Sequence, residues 1–170
     1  MYYVKYASPL GELLLIADRH GLRHLYLPSE NPPHNPLWQA GKNRPLEQAC
    51  DFLDAYFAGK KPSAEQLLLA PVGTPFQQQV WQQLLQIPYA GTSCYGDIAQ
   101  RIGNPKAVRA VGGAIGANPL AIIIPCHRVL GKDRSLTGYS GGLPIKTALL
   151  TLEGVTWREK KAPKQRKNNA

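Results

Sequence analysis

Residues 93–118 hold two short helical segments, SCYGDIAQRIG and NPKAVRAVGGAIGAN, with almost nothing between them. Gly103 suits a helix end, Asn104 the next N-cap and Pro105 the first turn of the second helix. A connection this tight folds two helices back on each other as a helix-turn-helix does, although any helical hairpin fits the same pattern. The second helix is unusual. AVRAVGGAIGA is nearly all small residues, and each of its three glycines weakens a helix by about 1 kcal/mol. A helix tolerates that cost where something must come close. That something is either a neighbouring helix or a nucleic-acid groove, with Arg109 the only charge on the middle turns.

Charge bears on the choice of partner. The chain of 170 residues carries a net +9. In residues 1–70 seven Lys and Arg cancel seven Asp and Glu, whereas residues 71–157 hold seven against three and residues 158–170 six against one. The basic excess belongs to the second half and the tail, which makes nucleic acid the first partner to consider. A solvated basic tail is common by itself, so residues 158–170 are expected to be a basic disordered end. At 44% hydrophobic and 8% aromatic the chain can bury a core, which excludes wholesale disorder. No apolar run follows a basic start, so no signal peptide is expected, and residues 120–125 are too few to span a bilayer. Cys50, Cys94 and Cys126 are widely spaced and odd in number. They form no disulfide framework, and a cytoplasmic location is expected.

The first half reads as a β-meander. MYYVKYAS, GELLLIAD and GLRHLYL are apolar-rich runs separated by turn signals, and SENPPHNP must be a loop. After Pro45, the residues Leu46, Cys50, Leu53 and Phe57 recur at helical spacing, which makes Cys50 a small core residue. Thr74, Pro75 and Gln77 write a capping box, and Phe76, Val80, Leu84 and Ile87 line the helix it opens.

The second helix stops at Asn118-Pro119, and residues 120–124 read as a short buried strand delivering Pro125-Cys126-His127-Arg128. Without C-x-x-C or H-x-x-x-H spacing a metal site is not expected. A buried structural cysteine is the bland alternative. Against it stand His127 beside the thiol, Arg128 after it, and the loop Gly138-Tyr139-Ser140-Gly141-Gly142 downstream. A histidine can hold a cysteine as the attacking thiolate and itself wants an orienting acid. Glu153 is the candidate, at the end of a helix opened by Pro144 with Ile145, Leu149 and Leu152 inward.

IPCHRV, preceded by GNPKAVRAVGGAIGANP and followed by TGYSGG, resembles the O6-alkylguanine-DNA alkyltransferases, also called methylated-DNA–protein-cysteine methyltransferases. The likeness runs without apparent gaps from about residue 74 to about residue 154. Residues 1–70 resemble the family's variable N-terminal domain in size and β-then-helix order alone. The resemblance implies that Cys126 accepts the alkyl group from guanine O6 and that His127 and Glu153 form the relay, through a water, that makes Cys126 a thiolate. It implies that Asn118 ties the recognition helix to the active-site turn, and that Tyr95 rotates the target phosphate and donates a proton to the base. It implies too that Arg109 enters the duplex where the flipped base was, with Ala110, Gly112 and Gly113 beside it on the DNA, and that Tyr139 and Ser140, with Pro125, close the pocket over the base. Cys94 departs from the Ser or Thr the family often places before this tyrosine. Cys50 stands alone, so the cysteine-rich N-terminal metal site of some relatives is not implied.

Two rivals compete. A helix-turn-helix DNA binder with a structural cysteine leaves the Cys-His-Glu set unexplained, and AVRAVGGAIGA has almost no side chains able to read base edges. A cysteine hydrolase gives no reason for a basic helix pair. The expectation is therefore an α/β fold. Residues 1–70 form a small antiparallel sheet with a helix, and residues 71–157 a mostly helical domain with the helix-turn-helix. The expected partner is double-stranded DNA carrying O6-alkylguanine, bound by a monomer without cofactor, metal or membrane.

Overall fold

The computed structural model describes residues 1–159. Three strands form the meander, β1 (Tyr2–Ser8), β2 (Gly11–Asp18) and β3 (Gly21–Tyr26), paired antiparallel in sequence order. Alternation along β2 sends Leu13, Leu15 and Ala17 into the core, where α1 (Arg44–Phe57) covers them with Leu46, Ala49, Leu53 and Tyr56. The sheet is mixed rather than purely antiparallel. A two-residue strand β4 (Gln39–Ala40) joins the free edge of β1 in parallel, a pairing too short to leave a period-2 signal.

The second half opens with α2 (Pro75–Leu85), capped as its sequence specifies: the Thr74 hydroxyl accepts from Gln77 N–H and the Gln77 side chain from Thr74 N–H. β5 (Ser93–Cys94), α3 (Tyr95–Arg101) and α4 (Val108–Gly116) form the helix-turn-helix, and α5 (Leu143–Leu152) closes the fold. Trp81 on α2 donates its indole N–H to Ala114 O on α4 at 2.8 Å, tying the pair to the body. Among the described residues no helix is long and apolar enough to cross a membrane.

Four local expectations change. Asn104 does not cap α4, because the turn runs on through Ala107, whose N–H meets Asn104 O, and the helix starts at Val108. Residues 120–124 are not a strand. They form a buried turn with Ile122 at φ 73°, a left-handed value that costs a β-branched residue about 1–3 kcal/mol. Five apolar residues look alike in a buried strand and a buried turn. Leu152 faces outward, and Lys146 takes an inward place on α5 instead. The last residues of the body also reach further than the tail's expected start, since Arg158 N–H donates to Arg134 O and Arg158 O accepts from Leu136 N–H. The rest of the expected disordered tail, from residue 160, lies outside the described residues.

One apolar cluster runs through both halves, from Leu13 to Leu149. The outer edge of β3 splices them: Leu22 pairs with Leu69 of the connecting segment, and Leu25 N–H donates to Pro119 O just before the buried turn. Losing the α2 cap should cost about 1 kcal/mol. Thr74→Ala is therefore expected to lower Tm by about 2–4 °C, read by thermal unfolding, with the structure otherwise unchanged.

Candidate active site

Cys126 opens a single 3₁₀ turn, Cys126–Arg128, set at the end of the buried turn. β6 (Val129–Leu130) follows at once and pairs in parallel with β5, Ser93 opposite Val129 and Cys94 opposite Leu130. That pairing brings the start of the helix-turn-helix beside the cysteine. Asn118, just past α4, completes the join: its amide N–H donates to Ile124 O at 2.8 Å and its carbonyl accepts from Leu120 N–H at 3.0 Å.

Cys126 is 4% exposed. Burial pushes its pKa up, and the opposing pull of the Asn118 and Tyr139 side chains and the Lys146 ammonium does not overcome it. A thiol with a lowered pKa was the expectation from the histidine next door; in this closed site desolvation wins, and Cys126 is protonated.

The acid–base pair sits one residue on. His127 is fully buried, with Nε2 2.5 Å from Glu153 Oε2 and Nδ1 buried without a protein partner among the described residues. Burial holds the imidazole pKa below its usual value although Glu153 pulls it up, so His127 is neutral, with Nε2–H as donor. No direct hydrogen bond joins it to Cys126 among the described residues. Glu153 takes four donors: His127 and the Tyr56 hydroxyl (2.7 Å) on Oε2, and the Arg128 Nε–H (2.8 Å) and Ala90 N–H (2.9 Å) on Oε1. His127 first, then Arg128 and Tyr56, outweigh burial and bring its pKa down to about 2. Arg128 also donates to Ile87 O at 2.7 Å.

A second polar chain supports the turn from the other side. Tyr95, the first residue of α3, donates its hydroxyl to Thr137 Oγ1 at 3.0 Å. Lys146, 1% exposed, reaches the same oxygen at 3.0 Å and Val129 O at 2.8 Å, with burial bringing its pKa down to about 8. In the downstream loop the Tyr139 hydroxyl is buried without a well-formed hydrogen bond, and burial and the neighbouring thiol raise its pKa. Ser140 is exposed and Pro125 buried. The loop is pinned to the first half by Ser29, whose hydroxyl donates to Gly141 O at 2.9 Å.

On α4, Val111, Ala114 and Ile115 face the core, whereas Arg109, Ala110, Gly113 and Gly116 face out. A Cβ at Gly113 or Gly116 would meet nothing within 4 Å, and one at Gly112 would make only ordinary contact with Tyr95. Packing inside the protein thus does not explain these glycines. Cys94 caps α3 without a side-chain hydrogen bond, and Cys50 is buried with its thiol pKa raised, chiefly by burial. A cavity of about 720 Å³ lies behind the turn against Pro125 and Arg128 and does not include Cys126.

Sequence reasoning named Cys126, His127, Glu153, Asn118, Tyr95 and Tyr139 for the site, set Arg128 beside the cysteine without giving it a partner, and missed Lys146 and Tyr56. Lys146 is the lone charge in LPIKTALLTL, a legible signal; Tyr56 is the i+3 neighbour of Leu53, displaced in the reading by Phe57.

Both halves of the chain match known proteins. Residues 75–155 match the model for the DNA binding domain of 6-O-methylguanine DNA methyltransferase, and residues 1–71 the model for its ribonuclease-like domain. A methylated-DNA–protein-cysteine methyltransferase of Haemophilus influenzae is 47% identical over 94% of this chain and 90% of its own length. The constitutive enzyme of that name from Bacillus subtilis is 42% identical, covering 94% and 99%. The crystal structure of Mycobacterium tuberculosis OGT in complex with DNA aligns at TM-score 0.82 and 44% identity, covering 91% of this chain and 93% of that one. The chain belongs to the O6-alkylguanine-DNA alkyltransferase family, the methylated-DNA–protein-cysteine methyltransferases.

Glu153 has a testable thermodynamic signature. Its folded pKa, about 2, lies below its ordinary 4.5, so its contribution to stability is complete above 4.5 and is lost as the pH falls toward 2. Urea midpoints against pH should fall steeply across that window. Glu153→Gln should flatten that fall, at a cost near neutral pH of about 3–5 kcal/mol for leaving Arg128 buried without its carboxylate.

Proposed function

We propose that this chain reverses DNA alkylation directly: it takes an O6-alkylguanine out of duplex DNA and transfers the alkyl group to Cys126, once per molecule. The observation that carries the reading is a buried cysteine next to a His127–Glu153 pair, on a turn that Asn118 hydrogen-bonds at Leu120 and Ile124 to the end of a helix whose exposed face is small residues and one arginine.

The chemistry follows. The thiol proton passes to His127 Nδ1, through a water, and the imidazolium is held by the ionised Glu153. The thiolate attacks the alkyl carbon, a C–S bond forms and the C–O6 bond breaks. Tyr95 donates to the departing base, so guanine leaves neutral and the proton returns to the phenol from the relay. Lys146 adds positive charge beside the thiolate. The product is a thioether, which no group in the site can cleave, so turnover stops at one.

A lesion inside a duplex must be flipped out to reach a thiol this deep. The face of Arg109, Ala110, Gly112 and Gly113 fits a shallow approach to the minor groove, with Arg109 filling the gap left by the base. Tyr139 and Ser140, on the loop pinned by Ser29, close over the flipped base with Pro125 below. Residues 1–70 serve as the scaffold domain, residues 71–157 as the DNA-binding and acceptor domain, and the basic tail adds phosphate attraction. The protein acts as a monomer in the cytoplasm.

Excess duplex containing O6-methylguanine should give a burst equal to the protein concentration, with intact mass rising by one CH₂ on the peptide containing Cys126. Cys126→Ser should lose transfer and keep DNA binding. Turnover beyond one, or a mass shift on Cys94 or Cys50, would refute the assignment. Separately, Arg109→Ala should slow repair of the duplex far more than reaction with free O6-benzylguanine; equal losses would make Arg109 part of the chemistry or the fold.

A further inference from the structure

Tyr56 belongs to α1, in the half of the chain that carries no part of the cysteine motif. Its hydroxyl nevertheless crosses to the relay and donates to Glu153 Oε2 at 2.7 Å, the same oxygen that His127 Nε2 meets at 2.5 Å. Oε1 belongs to Arg128 and Ala90, so among the described residues Tyr56 and His127 alone share Oε2.

We propose that Tyr56 is a positioning residue for alkyl transfer: its hydroxyl orients the Glu153 carboxylate and limits how strongly that carboxylate holds the His127 proton. The inference rests on the reading of Cys126, His127 and Glu153 as the transfer site.

The geometry leaves Tyr56 little freedom to do anything else. Its ring is fully buried, stacked on Phe52 (6.3 Å between centroids, 9° between planes), edge-on to Phe57 at 5.3 Å and edge-on to His127 at 6.5 Å. A buried phenol needs a partner, and many carbonyls would serve a purely structural one. Here the partner is the relay's own acceptor oxygen. Each donor on a carboxylate lowers its basicity, and a less basic carboxylate supports a less basic imidazole. Tyr56 therefore helps keep His127 neutral and its Nδ1 free to receive the thiol proton.

The other charged and titratable groups around the pair do not duplicate this hydroxyl. Arg128 faces Oε1 from the 3₁₀ turn. Tyr89 packs edge-on to Tyr56 and sends its own hydroxyl to Leu152 O, with Arg128 and Lys61 over its ring. Lys146 acts on His127 through its charge from α5, and Cys126 precedes it on the turn. None of them reaches Oε2.

Tyr56→Phe keeps the ring and removes the hydroxyl. Single-turnover transfer from free O6-benzylguanine, followed against pH, reads the result without DNA. With one donor fewer, Glu153 becomes more basic and His127 with it. The acid limb of the pH–rate profile should then move to higher pH by about half a unit or more. A merely structural hydroxyl would scale the rate at every pH or leave it alone, so an unmoved limb overturns the inference. A second measurement does not depend on transfer. The His127 imidazole, titrated by NMR in the Cys126→Ser protein, should show a higher pKa when Tyr56→Phe is added; an unchanged or lower value overturns the inference as well. If the unaltered protein transfers no benzyl group, the alkyl-transfer reading itself falls, and the titration still decides whether Tyr56 tunes His127.

Discussion

A carboxylate held away from water, as Glu153 is, stays ionised only if its oxygens are supplied with donors, because uncompensated desolvation costs several kcal/mol. Four donors meet it, and they come from distant parts of the chain: Tyr56 of α1, the N–H of Ala90 after α2, and His127 and Arg128 of the 3₁₀ turn. Ala90 adopts φ 65° in the turn that presents its N–H, a conformation a non-glycine residue rarely takes. The end of α5, the turn after α2 and the cysteine turn are thereby fixed around one anion. The position of Cys126 is a consequence of that packing as much as of its own neighbours.

The same burial that encloses the His127–Glu153 pair keeps the Cys126 thiol protonated. With Cys126 protonated and 4% exposed, the resting site is guarded against stray electrophiles. That suits a protein that spends its acceptor thiol once. Groups able to shift the balance toward the thiolate are already in place. Asn118, Tyr139 and Lys146 each pull the thiol pKa down, and among the described residues His127 Nδ1 has no competing protein donor or acceptor.

The first half of the chain is joined to this site at several points. The edge of β3 takes up the connecting segment at Leu69 and the residues before the cysteine turn at Pro119 and Leu120; Ser29 holds the pocket loop at Gly141, and Tyr56 reaches the relay. A single apolar cluster lies beneath these contacts. Scaffold is too weak a word for a half that supplies a hydrogen bond to the acid of the site.

The sequence alone was enough to locate the strands of the meander, the capping box at Thr74, the paired helices and the PCHR turn. These features are local: alternation, cap chemistry and glycine or proline breaks act over a few residues. It also marked α4 as a surface for close approach, because glycines that pack against nothing still cost helix stability. The short pairings of β4 with β1 and of β5 with β6 were beyond it, since two residues carry no period. So was the turn at Ile122, because a buried run of isoleucines has the same hydrophobicity in either conformation. The tertiary structure alone decided the state of Cys126 and the membership of the relay. Adjacency to histidine suggested a thiolate, but protonation depends on how much water and charge surround the sulfur, and burial settled it the other way. Tyr56 lies 97 residues from Glu153, and nothing local to either records that they meet. Their contact exists because α1 packs across the sheet against the core that both halves share.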